Sequence, residues 1–492
     1  YVLTRYRQWQ IAGSLGGIFY STVTPWQSSG GVQVMLGNYQ HNSDIQYMGQ
    51  VAPVQLPAEL DGYNIRRGFW ETSDLMYRFS LQVMARKIAH LKSNPLPPAE
   101  AAVPDMQQLP AVTKMVERPR PFEVDLAALE GMVKELSALF KDYKELFNSN
   151  VMLVAVEQDN YRLTSENVRL KFPLGLVGLT VSASVRTTDG STVSDVLAIS
   201  SLDNPADLPS IEELKKKVKD FADNLMELKE TPMIEEYYTG PVLFEGGAAS
   251  RLFTDNLLSP GRLLALRTMA PARGMLDEQL GRRIIDSRLT VKNYTTLAEY
   301  NGTPLFGCYE IDGDGVVPAA ELTLVENGVF KRMLNGRVPT LKAPESTGSA
   351  RFMISPDNPM AIVSPGTIHV QASKGVGPEK LKKALLKAAK EADLEYAYIV
   401  RRIGGEASAV YKVNVKDGKE IRVRVNNLSA PELTKLMDLK GIPSDERVMN
   451  YFPNGVPASL IYPSAIIVGD VEINRTTPKI EEEPVLKHPL QR

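Results

Sequence analysis

Residues suited to metal binding or nucleophilic chemistry are scarce in this chain. Only four histidines occur (His41, His90, His369 and His488) and one cysteine, Cys308, among 492 residues. A single cysteine excludes an internal disulfide framework and any Cys-x-x-Cys metal knuckle. There is no GxxxxGK[ST] phosphate loop, no GxGxxG after a strand, no G-x-S-x-G nucleophile elbow, and neither HExxH nor HxxxH. Residues 310–321 (EIDGDGVVPAAE) copy part of a calcium loop, with acids at positions one, three and five, glycine at six and glutamate at twelve. However, position one is Glu310 rather than Asp, Pro318 falls inside, and both flanks read as strands where an EF-hand needs helices. A solvated acidic turn is the better reading. Cys308 beside it reads as a small buried hydrophobe, since no histidine lies near it in sequence. His369, in the strand-like run TIHV, reads as a packed or edge histidine. Glu310, Asp312, Asp314 and Glu406 are acids that a fold could converge on a metal, although exposed turns are the expectation for carboxylates.

The elements that would position any site read as follows. The first 60 or so residues suggest short strands and turns. Thr72-Ser73-Asp74 offers N-cap side chains for a helix over 72–93, with basic residues in its last turns. Residues 94–121 contain seven prolines and read as an extended linker or surface strap. Helical spacing of Leu126, Leu129, Met132, Val133, Leu136 and Leu139 predicts a helix over 124–148. Strands follow, with a hairpin at Asp189-Gly190. Pro209-Ser210 opens a helix through Glu230 whose lysines are balanced by acids, a solvated face rather than a nucleic-acid contact. Beyond about 239 come a helix over 246–258, β-rich sequence with hairpin turns at Asn327-Gly328 and Asp417-Gly418, and helices over 378–393 and 430–439. The order predicts an α+β chain of two domains. Residues 1–235 form a mixed α/β domain, and 236–492 a β-rich domain of mainly antiparallel hairpins.

Composition narrows the function classes. Apolar residues make up 43% and charged residues 23%, an ordinary globular balance. The net charge of −2 gives no field that would draw the chain onto nucleic acid. No apolar run approaches the ~20 residues of a membrane-spanning helix. The first residue is Tyr1 rather than methionine, as expected after processing or truncation. A signal peptide lost in this way leaves cytoplasm and periplasm both open.

The most informative segment is 239–259, TGPVLFEGGAASRLFTDNLLS. Together with IDGDGVVPAAELTLVENGVFKRMLNGR, ESTGSARF at 345–352 and PASLIYPSAIIVGDVEI, it resembles the TldD/PmbA family of metallopeptidase-related proteins over most of 239–473. Gly240-Pro241-Val242-Leu243-Phe244 looks like the family's strand entering its active-site helix. Ala248-Ala249 and Leu252-Phe253 look like the helix stretch leading into its zinc motif. Zinc-bearing members continue with HExxxH and take a third ligand from a cysteine nearer the C-terminus. Here Phe253 is followed by Thr254-Asp255-Asn256-Leu257-Leu258-Ser259. Aligned without a gap, Thr254 and Ser259 take the histidine positions, i and i+5 as in HExxxH, and Asp255 takes the glutamate position. Hydroxyls are poor neutral ligands for zinc, and residues 309–492 contain no cysteine. The resemblance therefore implies a zinc-free, PmbA-like type without catalytic residues or cofactor of its own. It implies a dimer with a second copy or with a zinc-bearing TldD-like paralogue, where zinc is expected only in that partner. Unfolded peptides are the implied ligand. A second reading is an autonomous metal-dependent peptidase with an unconventional site. The family's older association with DNA gyrase finds no basic patch or recognition motif here.

Overall fold

The computed structural model describes residues 1–44, 51–56, 61–268, 275–355, 361–404, 407–425 and 428–474. Its first part is a seven-stranded sheet. The strands run in the order Ala52–Gln55, Gly17–Val32, Val2–Ser14, Leu146–Leu163, Val168–Arg186 and Val112–Met115, and Thr192–Leu202 also pairs with Val168–Arg186. Strand alternation is visible in Val177, Leu179, Val181, Ala183 and Val185, all buried on one face. Onto that face pack the helices Leu126–Ala138 and Ile211–Glu230, the latter through Leu214, Val218, Phe221 and Leu225. Ser210 caps the second helix by accepting from the Glu213 N–H at 3.3 Å. The opening strands, of 13 and 16 residues, are longer than the short strands predicted.

Three helix expectations shift. The helix predicted to start at Thr72-Ser73-Asp74 instead spans Gly62–Ser93 and is capped by Asp61, which accepts from the Tyr63 N–H at 2.8 Å. The supposed cap residues satisfy themselves inside it: Ser73 Oγ donates to the Phe69 carbonyl at 2.6 Å, and Asp74 pairs with Arg78 at 2.8 Å. The helix predicted over 124–148 ends at Ala138, passes through a 3₁₀ turn at Leu139–Asp142, and gives way to a strand at Leu146. The one predicted over 430–439 is only a 3₁₀ turn, Leu433–Met437.

The proline-rich stretch is not simply a linker. It holds one helical turn, Pro98–Ala101, with proline at its start, and a strand, Val112–Met115, running parallel to Val168–Lys171. Asp105 anchors it. That buried carboxylate takes the Lys87 ammonium at 2.7 Å and the Asn42 N–H at 2.8 Å, and Lys87 also donates to the Asp44 carbonyl at 2.7 Å. Lys87, read from sequence as one of the basic last-turn residues, is 2% exposed.

Besides two two-stranded ribbons, the rest of the described chain builds two six-stranded sheets. One runs Val329–Phe330, Glu321–Glu326, Leu289–Tyr294, Thr367–Ala372, Ala458–Pro463, Glu446–Tyr451. The other runs Glu420–Val423, Ala409–Asn414, Tyr396–Arg402, Tyr238–Glu245, Ala465–Ile473, Leu439–Gly441. The helix Gly247–Leu257 shares one core with both, joining Phe244 and Ile466 of one sheet to Ile368 and Leu460 of the other. Leu381–Glu391 covers the opposite face of the second sheet through Leu381, Leu385 and Ala389. Helices packed on sheets of mixed but mainly antiparallel strands make the chain α+β, as predicted. Among the described residues no helix is long and apolar enough to cross a membrane.

Removing one member of a buried ion pair strands the other charge, at a cost of about 3–5 kcal/mol. Arg267 Nη2, 3.5 Å from Asp105, remains as a second partner, so Lys87→Met should lower the unfolding free energy by about 2 kcal/mol in urea titration. A loss below about 1 kcal/mol would mean that Asp105 does not depend on this ammonium.

Candidate functional site

The segment that carries the degenerate motif is shaped by a turn and two small residues. Gly246 ends the Tyr238–Glu245 strand at φ +53°, a conformation that disfavours any side chain. A Cβ there would also lie 3.1 Å from Arg447 Nη1. Ala248 and Ala249 are fully buried, which lets the helix seat closely between the sheets. Leu252, Phe253, Asn256 and Leu257 face inward, and Asn256 Nδ2 donates to the carbonyls of Leu252 at 2.9 Å and Pro431 at 2.8 Å.

Thr254 and Asp255 face outward on this helix. Thr254 Oγ1 donates to Asp255 Oδ1 at 3.2 Å, and Arg251 holds the other oxygen, with Nε at 2.9 Å and Nη2 at 2.8 Å. Ser259 lies beyond the helix end at Leu257 and the cap residue Leu258. The three motif positions thus supply two neutral hydroxyls and a carboxylate already paired with a guanidinium. Such a donor set does not fit zinc, which favours imidazole, thiolate or free carboxylate ligands. Among the described residues, no three His, Cys, Asp or Glu side chains converge as a metal-binding group.

The acids weighed as an alternative site are employed elsewhere. Asp312 and Asp314 are buried, not the solvated turn that the sequence suggested, because they organise the turn that contains them. Asp312 accepts the N–H groups of Asp314 at 2.9 Å, Val316 at 2.8 Å and Ala350 at 3.0 Å. Asp314 meets Arg162 at 3.1 Å and the Arg337 N–H at 3.3 Å. Arg337 in turn grips Glu166 bidentately at 2.7 and 2.8 Å, and Glu166 takes the Tyr39 hydroxyl at 2.8 Å. Glu310 pairs with Lys114 at 2.5 Å, and Glu321, the twelfth position of the calcium-like run, with Lys292 at 2.6 Å. Glu406 lies outside the described residues. Burial, and then the neighbouring Asp314 charge, push the Asp312 carboxyl up to about 7 despite its three backbone donors.

One cluster escaped sequence reasoning. His369, on the Thr367–Ala372 strand, is 6% exposed, with Nε2 2.9 Å from Glu446 Oε2 and Nδ1 3.2 Å from Gln371 Nε2. The Tyr300 hydroxyl donates to the same Glu446 oxygen. These groups, with Thr290 and Ser373, line a recess of about 380 Å³. Burial raises the Glu446 carboxyl, but the bonds from His369 and Tyr300 outweigh it and the net shift is downward. Burial and the bond to Glu446 push Tyr300 up to about 12. His369 and Glu446 are 77 positions apart and on different strands, so no local spacing announces them. Cys308 lies at the surface rather than in the core, and partial burial of its thiol raises its pKa, away from the reactive thiolate.

Residues 238–421 match the family described as the PmbA/TldA metallopeptidase C-terminal domain. No curated protein sequence matches the chain. Among solved structures, TldE from Thermococcus kodakarensis aligns with 14% identity and a TM-score of 0.56, covering 96% of this chain and 95% of that one. A protein described as a proposed modulator of a DNA gyrase, from Thermotoga maritima, aligns with 14% identity and a TM-score of 0.54 over 96% and 95%. A similarly described protein from Bacteroides thetaiotaomicron gives 13% identity and a TM-score of 0.51 over 95% and 94%. At these identities the likeness is one of fold.

The Asp312 shift has a checkable consequence. A carboxyl raised above its unfolded value contributes stability at acid pH that is lost as pH rises through about 7. The unfolding free energy of the wild type minus that of Asp312→Asn should therefore fall between pH 5 and pH 8. A pH-independent difference would contradict the shift.

Proposed function

Through residues 238–421 the chain belongs to the TldD/PmbA family of metallopeptidase-related proteins, and from that premise we propose that it is a zinc-free member acting in the proteolysis of unfolded peptides. In this reading it is a non-catalytic subunit or peptide-binding shell, and zinc chemistry belongs to a TldD-like partner. The observation that carries the proposal is the pairing at the motif. Asp255 stands where the resemblance puts the family's glutamate, and it is bound by Arg251 beside the Thr254 hydroxyl. A general base needs a free lone pair aimed at a water that a metal has activated. Here the carboxylate is shared with Arg251 and flanked by the Thr254 hydroxyl, with no imidazole or thiolate among the described residues beside it to hold the metal that would activate a water.

The alternative, an autonomous metal-dependent peptidase, loses its best donors to structural work. Asp312 is committed to backbone N–H groups, Asp314 to Arg162, and Glu310 to Lys114. Direct action on DNA draws no support from a net charge of −2.

The purified chain, incubated with an unfolded protein such as reduced casein, should show no chelator-sensitive cleavage. It should nonetheless retain casein peptides in equilibrium dialysis. Cleavage abolished by a chelator and restored by zinc would overturn the reading. Because the Arg251–Asp255 pair is an exposed i,i+4 contact, Asp255→Asn should cost no more than about 0.5 kcal/mol of stability and leave peptide retention unchanged.

A further inference from the structure

The recess beside His369 holds a negative charge that no lysine or arginine among the described residues neutralises. Glu446 opens the Glu446–Tyr451 strand with 19% of its side chain exposed. Its Oε2 accepts from the Tyr300 hydroxyl and from His369, while its Oε1 accepts nothing from the described residues. The Gln371 amide nitrogen, which can only donate, lies 3.2 Å from His369 Nδ1. Nδ1 therefore accepts, the ring proton sits on Nε2, and the imidazole that faces Glu446 is neutral. Burial alone would raise the Glu446 carboxyl, yet the two bonds bring it below the ordinary glutamate value, so it is ionised at neutral pH. Lys292, directly opposite His369 in the sheet, is held by Glu321 at 2.6 Å.

A half-buried charge without a partner is costly, and the ligand that relieves it is a cation. The rest of the lining identifies the kind. Gln371 and Thr290 are direct partners across two strands, on the same face as His369, and Ser373 follows them. The Gln371 carbonyl oxygen and the Ser373 hydroxyl engage no described residue, and Thr290 Oγ1 takes only the Asn327 N–H at 3.1 Å. An ammonium group brings one charge and three N–H donors, which suit one carboxylate oxygen and two neutral acceptors. A metal ion suits the recess less, because no three His, Cys, Asp or Glu among the described residues converge there. The Tyr300 ring adds an aromatic wall, a surface that favours cations. At about 380 Å³ the recess is large enough for a small amine or the end of a chain.

We propose that this recess binds a primary ammonium group, with Glu446 as its counter-ion and Gln371 and Ser373 as its neutral acceptors. His369 and Tyr300 are positioning residues that occupy Oε2 and leave Oε1 for the ligand. A peptide amino terminus, a lysine side chain and a free amine share this chemistry. The site is independent of the reading of the zinc motif, since none of its residues lies on the Gly247–Leu257 helix.

Saturation-transfer NMR titration of the full chain with alaninamide, and with N-acetyl-alaninamide as the neutral control, tests this. The wild type should bind alaninamide at least about tenfold more tightly, as a charge-assisted hydrogen bond implies. Glu446→Gln keeps an acceptor for Tyr300 and His369 but removes the charge, and should erase that difference. Gln371→Lys tethers an ammonium beside the carboxylate and should block alaninamide while leaving the Glu446 contacts in place. Both variants should keep the wild-type circular dichroism spectrum. Equal binding of the two probes by the wild type, or alaninamide binding that neither variant changes, would overturn the proposal. Displacement of alaninamide by equimolar potassium chloride would also overturn it, assigning the charge to an inorganic cation. Two further probes read the source of the ammonium. Tighter binding of Ala-Ala-Ala-amide than of N-acetyl-Ala-Lys-amide supports a peptide amino terminus, and the reverse supports a lysine side chain.

Discussion

Gly246 turns the chain from the Tyr238–Glu245 strand into the Gly247–Leu257 helix at φ +53°, and the packing of two sheets depends on that turn. Its N–H donates to the Ser464 carbonyl at 2.8 Å, tying the corner to the point where the strands Ala458–Pro463 and Ala465–Ile473 meet. The helix then fills the space between the sheets with Ala248, Ala249, Leu252, Phe253 and Leu257. A substitution at Gly246 would strain the corner and push the helix out of register with both sheets. The outward face, where Thr254 and Asp255 sit, is consequently fixed in position even though it lacks zinc ligands. That face carries the Arg251–Asp255 ion pair and the Thr254 hydroxyl.

A second constraint joins the N-terminal sheet to the rest. Tyr39, Glu166 and Arg162 come from the first part of the chain, and the buried Asp314 and Arg337 from the second, bound in one partly buried polar network. The proline-rich stretch adds to it, because Gln107 exchanges hydrogen bonds with Arg337 at 2.8 and 2.9 Å and takes the Ser346 N–H at 2.8 Å. Carboxylates that looked like candidate metal ligands are therefore spent on holding the two parts together. Networks of this kind favour one arrangement, because loosening a member leaves the buried Arg337 or Asp314 charge without its partner.

Much of the architecture was legible where local chemistry decides it. The turns at Asp189-Gly190, Asn327-Gly328 and Asp417-Gly418 each contain a glycine with positive φ, the feature that makes such pairs readable. The Ile211–Glu230 helix was announced by Pro209-Ser210 at its start. Long-range pairing was not legible. Val112–Met115 becomes a strand only because Val168–Lys171 accepts it from more than fifty residues away. The burial of Asp312 depends on Ala350, and the His369–Glu446 contact depends on two strands brought together by the sheet order. Nothing near those residues in sequence encodes these neighbours.

The central claim is that the Thr254, Asp255 and Ser259 positions hold no zinc. Its most direct test is the metal content of the purified full chain, measured by elemental analysis after dialysis against trace zinc, with a chelator-treated control. The account predicts zinc far below one equivalent and equal to the control. One tightly held zinc per chain, removed only by the chelator, would contradict it and show that other ligands converge in the fold.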